Sequence, residues 1–173
     1  VALNDASRYG AIFGCDNVAN RDAVVFVNPN GEVGSIKTNG TSTSYNTSSD
    51  YRLKENVNYS FDATSRIKQL KPCRFNFIAD ANTTLDGFLA HEVSDIVPEA
   101  VSGEKDAIHV WKDGEELPDG VSVGDNKLDE DGNTIPIMQG IDQSKLVPLL
   151  TGALKEAIAK IEALEARVTA LEG

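Results

Sequence analysis

Ser49 stands five residues before Lys54 in the run Ser48-Ser49-Asp50-Tyr51-Arg52-Leu53-Lys54-Glu55-Asn56-Val57. A serine hydroxyl and a lysine amine can act as nucleophile and general base, because the hydroxyl is weakly reactive until a base takes its proton. A free lysine amine keeps its proton up to a pH of about 10.4. Service as a base at pH 7 therefore requires surroundings that lower this affinity by about two to three units, or about 3–4 kcal/mol. Desolvation acts in that direction, since it disfavours the ammonium. A chain that buries Lys54 only when partner chains dock would switch on only in the assembly. Spacing alone leaves a plain alternative open, a surface Lys54 paired with Glu55 or Asp50.

The pair lies where the composition changes abruptly. Residues 31–49 are rich in Gly, Ser, Thr and Asn, and from Lys37 to Ser49 the one large apolar side chain is Tyr45. This stretch reads as a flexible linker, or as an extended segment presented to an active site, since proteolysis requires accessible, extended backbone. Upstream, Ala23-Val24-Val25-Phe26-Val27 is a continuous apolar run, expected as a strand buried on both faces. Asn28-Pro29-Asn30-Gly31 is a turn signal, after which Val33 and Ile36 resume an extended segment. Residues 1–36 are too few to bury a core alone. They are expected to be the end of a longer β-rich shaft that continues N-terminally and is supported by other chains.

Downstream of the junction the pattern is α+β. Asp62 is placed to cap a short helix over residues 62–70, with Pro72 beyond its end. Cys73, Phe75 and Phe77 alternate with polar residues as in a half-buried strand. Phe88, Leu89, Val93, Ile96 and Val97 recur at helical spacing before Pro98, and Ile108 to Trp111 reads as a further strand. Phe75, Phe77, Phe88 and Trp111 read as core aromatics. Residues 112–140 are acidic, with hairpin-type turns at Asp113-Gly114 and Asp131-Gly132. Asp125, Asp129 and Asp131 invite a calcium reading, but the glycine is misplaced for an EF-hand loop, and solvated turns fit better. His91 and Glu92 read as helix-surface or packing residues, and His109, near Trp111, as a strand residue rather than a ligand.

The clearest helix covers about residues 142–172, with Asp142 able to cap its start. Val147, Leu150, Leu154, Ala157, Ile161, Leu164, Val168 and Leu171 alternate spacings of three and four, an a/d seam over about four heptads. Lys160 and Arg167 fall at g, Glu165 and Glu172 at e. A coiled coil is expected to begin after Pro148, which removes one backbone bond. The alternative is a single amphipathic helix docked on its own domain.

Composition narrows the function classes. The 173-residue chain carries a net charge of −11 and 40% hydrophobic residues. Such acidity argues against binding the nucleic-acid backbone or an anionic membrane surface. No apolar run approaches the roughly 18 residues of a membrane span. Cys15 and Cys73 form no CxxC or CxxH motif and read as reduced packing residues, and no metal or cofactor is expected.

The segment Ser49 to Val57 resembles the signature that opens the C-terminal intramolecular chaperone domain of bacteriophage tailspike and tail-fibre proteins, the S74 self-cleaving peptidase family. The resemblance continues through Leu70-Lys71-Pro72-Cys73-Arg74-Phe75-Asn76-Phe77, Asp86 to Val93, Val97 to Val101, and Gly140 to Leu150, in family order. It implies an α+β chaperone domain over residues 49–173, whose C-terminal helix forms a trimeric coiled coil through Leu150, Leu154, Ala157, Ile161, Leu164, Val168 and Leu171. Residues 1–48 would be the end of the β-rich shaft with its linker. It further implies Ser49 as nucleophile, Lys54 as base and a cut between Ser48 and Ser49. The partners would be two further copies of the chain and its own N-terminal shaft as folding client. The shaft would go to the virion tail after assembly in the host cytoplasm, and the chaperone part would be released. The competing expectation is a permanent trimerisation tip that stays uncut and binds a receptor. A self-cleaving DNA-associated regulator is disfavoured, because residues 1–36 show no basic recognition element.

Overall fold

The computed structural model describes residues 13, 14, 16 and 18–173. Cys15 and the start of the expected shaft segment lie outside the described residues. The chain divides into two compact units between Tyr59 and Ser60.

The first unit is an antiparallel meander of β1 (Arg21–Asn28), β2 (Gly31–Asn39) and β3 (Ser42–Thr47). Asn28 closes the first turn by accepting the Asn30 N–H on its side-chain oxygen at 2.8 Å. Gly31 follows at φ 100°, a conformation in which a Cβ would be strained. The β2–β3 register runs from Asn39↔Ser42 through Ile36↔Tyr45 to Gly34↔Thr47. Of residues 37–49, expected as a flexible linker or an extended segment, 37–39 and 42–47 are strand, which agrees with the extended reading. The ladder is built from backbone hydrogen bonds, which Ser, Thr and Asn make as well as any residue. The apolar run at residues 23–27 does form a strand, but not one buried on both faces. Val25, Phe26 and Val27 are exposed, on a strand that pairs with β2 alone among the described residues.

The second unit is α+β. Its order is α1 (Ala63–Ile67), β4 (Cys73–Phe77), β5 (Asp80–Gly87), α2 (Ala90–Ser94), β6 (Val101–Ser102), β7 (Gly140–Ile141) and α3 (Val147–Glu172). Asp62 caps α1 by accepting the Ser65 N–H at 3.0 Å, as its position suggested. β4 and β5 form a hairpin, with Phe75 and Phe77 edge to face at 5.3 Å, although Phe77 is exposed and is no core residue. The expected helix around Phe88–Val97 is shorter than its pattern: it covers Ala90–Ser94, and a separate 3₁₀ turn follows at Pro98–Ala100. Ile108 and Val110 make isolated bridges, to Pro136 and Asn126, in place of a regular strand. They belong to an excursion that leaves after β6 and returns at β7, where Val101 pairs with Ile141. Asp129 accepts the N–H groups of Asp131 and Asn133, so its carboxylate holds its own turn.

The core of this unit is small. Ala63, Val93, Val97, Ala100, Leu146 and Leu149 are buried, with Ile67, Leu70, Phe88, Ile96 and Ala153 packed around them. Each fully buried valine is worth about 1.5–3 kcal/mol. α3 enters this core by one face of its first turns. Pro148 sits in the first turn, where its missing N–H has no helical partner to lose, and Asp142 caps the preceding 3₁₀ turn through the Ser144 N–H. Gly152 lets α1 approach, since a Cβ there would lie 2.8 Å from Ala63 Cβ and 3.1 Å from the Phe61 ring. One turn on, Glu156 accepts the N–H groups of Ala63 and Thr64 at 3.1 and 3.2 Å, together with the Thr64 hydroxyl. These bonds, the hydroxyl's foremost, hold the Glu156 carboxyl below the ordinary glutamate value despite nearby Asp62.

Two outcomes follow for the α1–α3 contact. Gly152→Val destabilises the unit by about 1–3 kcal/mol through overpacking, read as a lowered Tm in thermal unfolding. Glu156 is stabilising when ionised, so its contribution is complete above the ordinary value of 4.5 and is lost as pH falls through its depressed folded value. Denaturant unfolding of Glu156→Gln therefore shows a shallower loss of stability on acidification than wild type.

Candidate active site

β3 ends at Thr47, and the chain stays attached to the sheet for one more residue. Ser48 donates its N–H to the Val33 carbonyl at 3.1 Å and its hydroxyl to the Glu32 carbonyl at 3.0 Å. The Ser48–Ser49 peptide bond thus begins at a residue held in strand register, and the next side chain is free of the ladder.

A 3₁₀ turn over Tyr51–Leu53 then folds the chain back. Asp50 caps it, accepting the Arg52 N–H at 2.8 Å. The Leu53 N–H reaches the Asp50 carbonyl and the Lys54 N–H reaches the Tyr51 carbonyl, both at 3.1 Å. This fold-back brings Lys54 to Ser49, with Lys54 Nζ donating to Ser49 Oγ at 2.7 Å. Both residues are exposed in the single chain.

The sequence left Lys54 with two acidic suitors. Asp50 is instead engaged by Arg52, whose Nε and Nη2 donate to its two oxygens at 2.9 and 2.8 Å. The Arg52 guanidinium, then the Arg52 N–H, hold the Asp50 carboxyl below the usual range, with a smaller contribution from the charge of Lys54. Asp50 raises Arg52 in return. From the sequence, Asp50 could orient Lys54 or Arg52 or cap the following turn, with the cap favoured; it both caps the turn and pairs with Arg52. The anchoring of Ser48 on β2 was invisible in the sequence, since it depends on sheet register.

The seam residues of α3 lie in the second unit. Val147, Leu150, Leu154, Ile161, Leu164, Val168 and Leu171 are each more than half exposed, and Ala157 is exposed. The face that packs on α1 is a different one, carrying Leu149, Gly152, Ala153 and Glu156. Among the other polar residues considered, Glu92 pairs with Lys71 at 2.9 Å, half-buried His91 lies on α2, and His109 takes part in backbone pairing with Ile135. Trp111 is half-buried beneath the Lys127 amine, 4.4 Å from its ring centre. No group of three or more His, Cys, Asp or Glu suited to a metal occurs among the described residues, and no helix among them is long and apolar enough to cross a membrane.

The contact between Ser49 and Lys54 falls in the first unit, shortly before the chain enters the α+β unit at Ser60. Residues 49–102 match the model of the Peptidase_S74 family, described as the chaperone of endosialidase. The match opens at Ser49 itself and closes at the end of β6. No curated protein matches the chain at a significant level.

Proposed function

We propose that this chain trimerises and folds the shaft of a phage tail fibre or tailspike, and then detaches its chaperone part by cutting itself between Ser48 and Ser49. The observation that carries this reading is the 2.7 Å contact between Lys54 Nζ and Ser49 Oγ, directly after a residue held in the strand register of β3. The family of residues 49–102 supports the chaperone role and agrees with self-cleavage.

In the reaction the unprotonated Lys54 amine takes the Ser49 hydroxyl proton, reversing the present donor sense. The Ser49 oxygen adds to the carbonyl carbon of Ser48, and the tetrahedral intermediate expels the Ser49 amine, which receives the proton. The resulting ester is hydrolysed by water, leaving a carboxylate on Ser48 and restoring the serine hydroxyl. Each chain acts once.

The exposed dyad fits an assembly-dependent switch. The base must meet the serine unprotonated, and desolvation favours that form. Packing of three chains would supply it. The seam of α3 supplies a means of association, because a leucine-rich stripe more than half exposed along 26 residues is stabilised when a second and third copy cover it. The exposed apolar strand β1 suits a shaft whose sheets are completed by neighbouring chains. Trimerisation through the helix raises the effective concentration of shaft segments for one another. After cleavage the folded product has lost its template and is held by a kinetic barrier.

Intact-mass analysis with light scattering tests the reading. Wild type is expected as two fragments split at Ser48–Ser49, while Ser49→Ala and Lys54→Ala remain whole trimers, with cleavage slowed ~10⁴-fold. Normal cutting of either variant would remove the dyad. A wild-type trimer that never cuts would make the domain a permanent trimerisation tip that binds a receptor. Leu154→Glu combined with Leu164→Glu places unpaired charge in the seam and yields monomers by light scattering. A trimer that survives both substitutions rules out the seam as the interface.

A further inference from the structure

The turn that carries the dyad holds one carboxylate between two cations. Asp50 takes three hydrogen bonds from Arg52, from its N–H at 2.8 Å, Nε at 2.9 Å and Nη2 at 2.8 Å. The charge of Lys54 adds a smaller lowering of the Asp50 carboxyl, yet its amine is turned to Ser49 at 2.7 Å. We propose that Arg52 is a positioning residue for the cleavage: it occupies the Asp50 carboxylate, which would otherwise capture the Lys54 amine and hold it away from Ser49. This deepens the proposed function and rests on it.

A carboxylate presents two oxygens, and a guanidinium fork matches both in a way an amine cannot. Arg52 stays charged throughout the pH range of any plausible chemistry, so the pairing does not lapse when Lys54 releases its proton. An unoccupied carboxylate near the amine would favour the ammonium, the form that cannot act as base. The other charged residues of the adjoining segments are Arg52 and Glu55 in the turn sequence and Glu32 on β2, whose backbone carbonyl receives the Ser48 hydroxyl. Asp50 is the carboxylate in electrostatic contact with Lys54. Its backbone-capping bond comes from the Arg52 N–H and survives loss of the arginine side chain, so the two roles can be separated.

The experiment follows cleavage of the whole chain from pH 6 to 10 in wild type, Arg52→Gln, Arg52→Lys and the double variant Asp50→Asn with Arg52→Gln. Arg52→Gln is expected to cut about tenfold more slowly at pH 7 and to approach wild type near pH 9. Arg52→Lys recovers part of the pH 7 rate. The double variant keeps a capping side chain and has no carboxylate to capture Lys54, so it returns to within about threefold of wild type. A uniform loss in Arg52→Gln at every pH, or a double variant as slow as the single one, overturns the proposal in favour of a merely structural arginine. In parallel, the Lys54 Cε resonance is followed by NMR in wild type and Arg52→Gln, and the variant is expected to titrate at higher pH. Equal titration in the two chains overturns the proposal whether or not cleavage occurs. A wild-type chain that never cuts sinks the dyad reading, while the titration still decides whether Arg52 shields Lys54.

Discussion

One carboxylate beside two cations can be filled by either, and the arrangement at the end of β3 depends on its being filled by Arg52. The guanidinium offers two donors in a plane, and the Arg52 N–H adds a third bond to the same group. The turn closes around this fork, and closing it is what returns Lys54 to Ser49. The opposite end of the segment is fixed independently, because Ser48 is tied to β2 by two hydrogen bonds. Between these anchors only Ser49 is free to present its side chain. The geometry therefore follows from an ordinary hairpin end and an Asp-x-Arg cap, without a deep pocket.

The second unit solves a different problem with one helix. α3 gives one face to its own core, where Leu149 is buried, Gly152 admits α1 and Glu156 ties down the first N–H groups of that helix. Its a/d seam runs along another face and stays open for its whole length. The two ways of reading an amphipathic helix, docked at home or paired with copies, are therefore not exclusive here. The home contact fixes the orientation of α3 on its unit, and this determines where the open seam points. A core of six mostly small buried residues also leaves little intramolecular stabilisation in reserve, so covering the seam would matter to the stability of the whole unit.

Much of this was legible in the residues. The seam could be read because its period of three and four is a property of the sequence itself. Asp62 and Asp142 could be read as caps because capping is local. For residues 37–49 the sequence left a flexible linker and an extended segment open, and the strands decide for the second: they are held by backbone pairing and turn geometry, about which side-chain polarity is silent. The burial of residues 23–27 was misjudged because apolar content reports what a strand can bury, while exposure depends on what lies across the sheet. The sequence offered Arg52 and Lys54 alike as partners of Asp50, and the choice between them is a side-chain geometry that a linear pattern does not carry. Glu156 escaped notice, since its partners lie more than ninety positions away.

The exposure of the dyad bears on how a single irreversible cut could be timed. A folding template that cut itself early would release three unfinished shafts, and a pairing problem between distant segments on different chains is slow to solve. In a self-cleaving chaperone the chemical step would therefore wait for structure. An exposed Ser–Lys pair at the end of a hairpin has the contact distance but lacks the dry surroundings that make the amine a base. Within the proposed function, distance is supplied by the local turn and dryness by assembly, so neither the unfolded chain nor the lone folded chain satisfies both conditions. Arg52 fits this division of labour: it removes a nearby negative charge that would oppose the switch even after water has left, and does so through a pair that needs no partner chain to form.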